Sequence, residues 1–242
     1  MMQIQIIQRP TSQPSKQSVI LRSAAVRVTQ RPMRVLDFDI ENRPLSYLGS
    51  DFTTGEVTAI AWAWCSSYSR HLENGEQLAD KDVDDVKDVK VTVYLLGETD
   101  LRTILQAFCA VYAQADMVTG HYITGHDLPM LNGALMEEQL PALGDMLVQD
   151  TKTDLIRAKG ISRSQESLGA MLQLEQPKVQ MNQSKWRAAN RLTPEGLQLV
   201  RERVIGDVQQ HMAMRKELDA LGYLSPPRLW RSGTAKLQEY TP

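Results

Sequence analysis

The stretch RVLDFDIENRP, residues 34–44, sets three acids, Asp37, Asp39 and Glu41, into an otherwise apolar run. Side chains of a β-strand alternate between its two faces. As a strand, this segment would carry Asp37, Asp39 and Glu41 on one face and Leu36, Phe38 and Ile40 on the other. A core can cover the apolar face. The acidic face needs partners, because neighbouring carboxylates repel one another and resist desolvation.

Outward from this strand the pattern is α/β. EVTAIAWAW (56–64) and VTVYLLG (91–97) read as two further strands, with the mixed-charge stretch 74–90 expected as a solvated hairpin tip between them. Apolar residues at Leu101, Ile104, Leu105, Phe108 and Val111 recur at helical spacing. DMVTGH (116–121) predicts a short strand, and a helix follows from about Leu128 with Pro129 in its first turn, where a missing N–H costs nothing. MLVQD (146–150) predicts another strand, and 167–174 a short helix. The last long helix takes Thr193 as N-cap and Pro194 as first helical residue, and runs to about Leu221 before Gly222. The expected fold is a mixed five-stranded sheet, an antiparallel meander extended by parallel strands and flanked by helices.

The 242 residues suit one domain with appendages, or at most two small ones. Residues 1–32 hold Arg9, Lys16, Arg22, Arg27 and Arg31 and no acid, which predicts a basic, partly disordered arm. The domain proper is expected over 33–222, and 223–242 as an irregular tail. A net charge of −2 excludes an overall basic character but not a local patch for nucleic acid. Cys65 and Cys109 lie far apart and read as reduced thiols. No apolar run is long enough to span a bilayer, and the N-terminus lacks the pattern of a signal peptide.

Hard cations such as Mg²⁺ and Mn²⁺ prefer carboxylate oxygens and would answer the need of the acidic face. Such a site draws its ligands from several segments. One candidate is Asp127, in VTGHYITGHDLPML (118–131), at the start of a helix. Another is Asp207, in the final helix, beside the apolar stripe of Val200, Val204, Val208 and Leu218.

Together these segments resemble the motifs of the ribonuclease H-like DEDD (DnaQ-like) 3′–5′ exonuclease superfamily, in style the proofreading domain of family B DNA polymerases. FDIEN (38–42) resembles the first exonuclease motif, with its acids at Asp39 and Glu41. GHYITGHDLPML (120–131) resembles the second, with Asp127, and VIGDVQQHMAMRKEL (204–218) the third, with Asp207. ESLGAMLQLEQPK (166–178) looks like the stretch before the third motif. The resemblance covers about residues 33–221.

It implies a ribonuclease H-like fold and a two-metal site for Mg²⁺ or Mn²⁺. Asp39 would bridge both ions, Glu41 and Asp207 would complete one site, and Asp127 would hold the other. The implied activity is 3′–5′ hydrolysis at single-stranded DNA ends, acting beside a separate DNA polymerase or on free ends. RNA trimming on the same fold is the alternative enzyme reading, and a catalytically weak nucleic-acid-binding replication accessory module the alternative outside enzymes. A stand-alone protein of this kind would suit the cytoplasm of a bacterium or of a cell infected by a bacterial virus.

The chain departs from the family pattern in places. Tyr122 and His126 stand where the second motif has Asn and Phe. The third motif's water-orienting Tyr or His is replaced by Arg203 and Glu202. Arg203 stays protonated and is expected to serve the phosphate. His211 and His126 are the candidates for proton acceptor. Asp37 matches no family ligand, and is either a support of the ligands or an edge of the site.

Overall fold

Val35–Pro44 forms β1, the strand that carries the three acids. The computed structural model describes residues 33–45, 54–65, 89–175 and 179–233. The basic arm and nearly all of the charged stretch expected as a hairpin tip lie outside the described residues.

β1 pairs antiparallel with β2 (Gly55–Trp64), and β2 antiparallel with β3 (Thr92–Leu95). Helix α1 (Leu101–Tyr112) leads to β4 (Met117–Gly120), which returns parallel to β1. Helix α2 (Asp127–Glu137) leads to β5 (Met146–Asp150), parallel to β4. There follow the one-turn helix α3 (Thr151–Asp154), a 3₁₀ turn (Leu155–Arg157), α4 (Gln165–Met171), α5 (Gln183–Asn190) and the long α6 (Pro194–Ala220). Strand β6 (Arg228–Trp230) closes the sheet antiparallel to β5, giving the order β3-β2-β1-β4-β5-β6.

Among the described residues the mixed sheet has six strands rather than five, because the sixth comes from the tail expected to be irregular. Its three residues are too short for an alternating pattern and depend on pairing Met146 with Trp230 and Val148 with Arg228. Helix α5 was not predicted at all. Only its N-cap announces it, Asn182 accepting from Lys185 N at 2.9 Å.

The two faces of the sheet differ in side-chain size. Leu36, Phe38 and Ile40 of β1, with Ile60 and Trp62 of β2, pack with α1 and α2 through Leu105, Phe108, Leu128 and Leu131. On the other face β2 presents Ala59, Ala61 and Ala63, each paired across the ladder with an acid of β1: Glu41↔Ala59, Asp39↔Ala61 and Asp37↔Ala63. These small side chains leave room for α6, whose Val200, Val204 and Val208 cover them. Both ends of α6 fall where the sequence places them. Thr193 Oγ1 accepts from Gly196 N at 3.1 Å, and beyond the C-cap Leu221 the chain turns at Gly222 with φ +76°. Gly196 is there for contact: a Cβ would lie 2.2 Å from the carbonyl oxygen of Ala188 in α5. Among the described residues, no helix is long and apolar enough to cross a membrane.

Candidate metal centre

Helix α6 runs antiparallel to β1 across the acidic face. Four residues of helix advance about 6 Å, and two residues of strand about 6.6–6.8 Å. Arg203, Asp207 and His211, four apart, therefore meet Glu41, Asp39 and Asp37, two apart, as three rungs. This is why the strand tolerates three acids on one face.

The rungs differ in burial and chemistry. At the inner rung, Asp37 is fully buried and accepts from His211 Nδ1–H at 2.6 Å. His211 Nε2 lies 3.2 Å from Thr151 Oγ1, which lies 2.9 Å from His121 Nδ1. His121 Nε2–H donates to the carbonyl of Arg163 at 2.9 Å. Burial, and then the charge of His211, pushes His121 down to about 4, so its ring is neutral at neutral pH.

At the middle rung, half-buried Asp39 meets buried Asp207. One carboxylate oxygen each from Asp39, Glu41 and Asp207 lies within 4.8 Å of the others. Three hard oxygen donors at that separation can share one cation, and the donor set fits Mg²⁺ or Mn²⁺. Gln165 in α4 fixes this turn of α6 by donating to the carbonyl of Asp207 at 2.8 Å.

At the outer rung, Arg203 Nε donates to Glu41 Oε1, and Arg203 Nη2 lies 3.6 Å from Asp207 Oδ2. The guanidinium also donates to the carbonyl of Val179 at 3.0 Å and sits 5.2 Å above the ring of Trp186 in α5.

Asp127 arrives from the other side of β1. The β1–β4 pairing stops at Asp37↔Thr119, and beyond it Ile40 N–H donates to Asp127 Oδ1 at 3.2 Å. Asp127 is thus the first residue of α2 and links it to β1, in addition to meeting the helix dipole. Burial raises its carboxyl to about 7, with repulsion from Asp150 and Glu41 adding to the shift. Among the described residues the three-carboxylate group consists of Asp39, Glu41 and Asp207, without Asp127.

The loop before Asp127 is held by Asp150, which accepts from Tyr122 N, Thr124 N, Lys152 N and Thr153 N at 2.9–3.2 Å. Tyr122 has φ +73°, its ring is partly exposed, and Lys152 Nζ lies 3.9 Å from the ring centre. Exposed His126 is hydrogen-bonded through Nε2 to Asn42 Oδ1 at 3.1 Å.

The acids Asp39, Glu41 and Asp207 and the cation Arg203 are therefore brought together. His211 is in a different setting from the one expected of a proton acceptor. It is 2% exposed and both ring nitrogens are engaged, because the same four-residue step that aligns it with the rungs delivers it to Asp37. Sequence reasoning missed Asp150, Thr151, His121 and Trp186. A signal existed for Asp150, an acid ending an apolar strand and followed by TKT, the pattern of an N-cap.

No family model matches the chain, and no curated protein matches it. Solved structures do. The fold is similar to part of a family B DNA polymerase. That structure, from the hyperthermophilic archaeon Pyrobaculum calidifontis, superposes with a TM-score of 0.56 at 15% identity. The match covers 80% of this chain and 25% of the polymerase chain, so the chain spans about a quarter of that neighbour's length. At this identity the likeness is one of fold, and it agrees with a ribonuclease H-like arrangement of mixed sheet and flanking helices.

Proposed function

We propose that the protein is a metal-dependent 3′–5′ exonuclease that hydrolyses phosphodiester bonds at single-stranded DNA ends. The observation that carries this reading is the middle rung, where oxygens of Asp39, Glu41 and Asp207 lie within 4.8 Å of one another. Its setting on a sheet similar to part of a DNA polymerase supports nucleic acid as the substrate class. Asp39, Glu41 and Asp207 would hold one Mg²⁺ or Mn²⁺, and Asp127 would help Asp39 hold a second. Bound there, such ions supply Lewis-acid stabilisation of the phosphodiester and an activated water.

The chain's own residues do the rest. Arg203 holds positive charge at the outer rung, where its guanidinium would turn from Glu41 to a phosphate oxygen. His126 is exposed next to Asp127 and is the candidate to take up a proton from the attacking water. His211 acts as a support, tying α6 to β1 through Asp37 so that Asp207 stays opposite Asp39. The protein would act on free ends or beside a separate polymerase.

The test is hydrolysis of end-labelled single-stranded DNA with Mg²⁺, Mn²⁺ or EDTA, with an RNA substrate in parallel. Nucleoside monophosphates appearing only with metal, and lost in Asp39→Ala, support the proposal. One observation favours a second reading, a binding module of low activity: Arg203 already engages Glu41, one of the three acids. DNA binding without metal-dependent cleavage would favour that reading.

A further inference from the structure

The guanidinium of Arg203 sits on the acids that the proposed metal would need. Its Nε donates to Glu41, its Nη2 lies 3.6 Å from Asp207 Oδ2, and both carboxylates belong to the three-acid group. This is a built position and not a chance surface pair. The Arg203 side chain is 14% exposed, the Val179 carbonyl takes one Nη, and Trp186 lies beneath the plane. The charges also constrain the site. Three carboxylates and one guanidinium carry a formal charge of −2, which one divalent cation cancels; with Asp127 as a fourth acid, two divalent ions balance the site only if the guanidinium withdraws.

We propose that Arg203 is an internal counter-ion that occupies the cation position of the metal-free protein and competes with divalent metal for Glu41 and Asp207. The inference rests on the metal-centre reading above. Metal loading breaks the Arg203–Glu41 hydrogen bond and releases Glu41 as a ligand. The displaced guanidinium stays tethered over Trp186, one helical turn from Asp207, where it is free to take a phosphate oxygen. In this way a single residue offsets part of the acids' charge when metal is scarce and supplies charge to the substrate when metal is bound.

The test is Mn²⁺ binding to the full chain, followed by the paramagnetic resonance signal of free Mn²⁺, together with thermal melting in EDTA and in saturating Mn²⁺. Arg203→Gln should bind Mn²⁺ roughly tenfold tighter or more, since it frees one ligand and removes a like charge from the ion's position. Its melting temperature should fall below wild type in EDTA and recover with Mn²⁺. Arg203→Lys, which keeps the charge but loses the fork, should gain less affinity than Arg203→Gln, and it keeps the comparison available if Arg203→Gln fails to fold. If wild type binds Mn²⁺, Asp39→Asn does not, and Arg203→Gln binds no tighter than wild type, the competition is refuted while the metal centre stands. If no Mn²⁺ binds to wild type or to either Arg203 variant, the metal centre itself is refuted, and the competition with it.

Discussion

Replacing His211 by Ala should cost stability out of proportion to the atoms removed. The side chains of His211 and Asp37 are 3% and 0% exposed, and the bond between them is 2.6 Å. Asp37 Oδ1 has no hydrogen-bond partner among the described residues, so Oδ2 carries the whole compensation for a dry carboxylate. Removing one member of such a buried pair costs about 3–5 kcal/mol, because the survivor is left desolvated and alone. In a chain of this size a kilocalorie shifts the melting temperature by about 2–4 °C, so His211→Ala should melt roughly 6–20 °C below wild type. The pair also predicts a change of sign. Asp37→Asn should destabilise the wild type, where it weakens the bond to His211. In the His211→Ala background it should stabilise, because it removes the stranded charge. Urea unfolding of all four proteins measures the cycle. A His211→Ala cost below about 1 kcal/mol, or an Asp37→Asn substitution that destabilises both backgrounds equally, would refute the reasoning. Turnover measured well below the melting range separates the support role from a proton acceptor, whose loss would cost about 10²–10⁴-fold.

Three further outcomes follow from other parts of the molecule. Asp39→Asn should abolish the rise in melting temperature that Mn²⁺ gives to wild type, since stabilisation by a ligand scales with its affinity for the folded state; calorimetry with and without Mn²⁺ checks this. Gly196→Ala should destabilise by about 1–3 kcal/mol, because the new Cβ meets backbone atoms of α5 at 2.2–2.6 Å and only a shift of one helix relieves it; chemical denaturation gives the value. In EDTA, Asp127 and His121 should oppose each other with pH. Asp127, raised from 3.8 to about 7, stabilises at low pH and loses that contribution as pH rises through about 4–7, whereas His121, lowered from 6.5 to about 4, loses stability as pH falls through about 6.5–4. Asp127→Asn should therefore leave a profile that rises with pH between about 4 and 6.5, and a flat one in urea melts across that range would contradict the His121 assignment.

What the sequence revealed and what it hid have a common physical origin. Strand β1 was legible because alternation places its acids on one face whatever surrounds it, and α6 because Thr193, Pro194 and Gly222 mark its ends by local chemistry. Asp207 was legible as an acid beside an apolar stripe. Strand β6 and helix α5 were not, since three residues cannot show a period and α5 has only Ala189 buried, leaving almost no apolar face to read. The Asp37–His211–Thr151–His121 chain joins residues 30 to 174 positions apart, and no local pattern encodes such a link. Arg203 was expected to serve a phosphate, and that it bonds Glu41 depends on the register between helix and strand, which only the packed structure fixes.

That register is also what divides the labour along the acidic face. The alanines of β2 draw α6 close to the sheet, and the near match of helix and strand rise then holds three successive pairs in step. Depth decides what each pair can do. Asp37, fully buried, is committed to His211 and has no opening to substrate. Glu41, at the outer rung, is matched by a guanidinium that can leave. The middle pair, Asp39 and Asp207, sets acid against acid, and the guanidinium that reaches Asp207 is shared with Glu41. On the proposal above, a cation from outside would act there, with Glu41 as the ligand released when Arg203 yields. The third acid of the opening stretch is thus explained without making it a ligand: Asp37 holds the helix so that Asp207 faces Asp39.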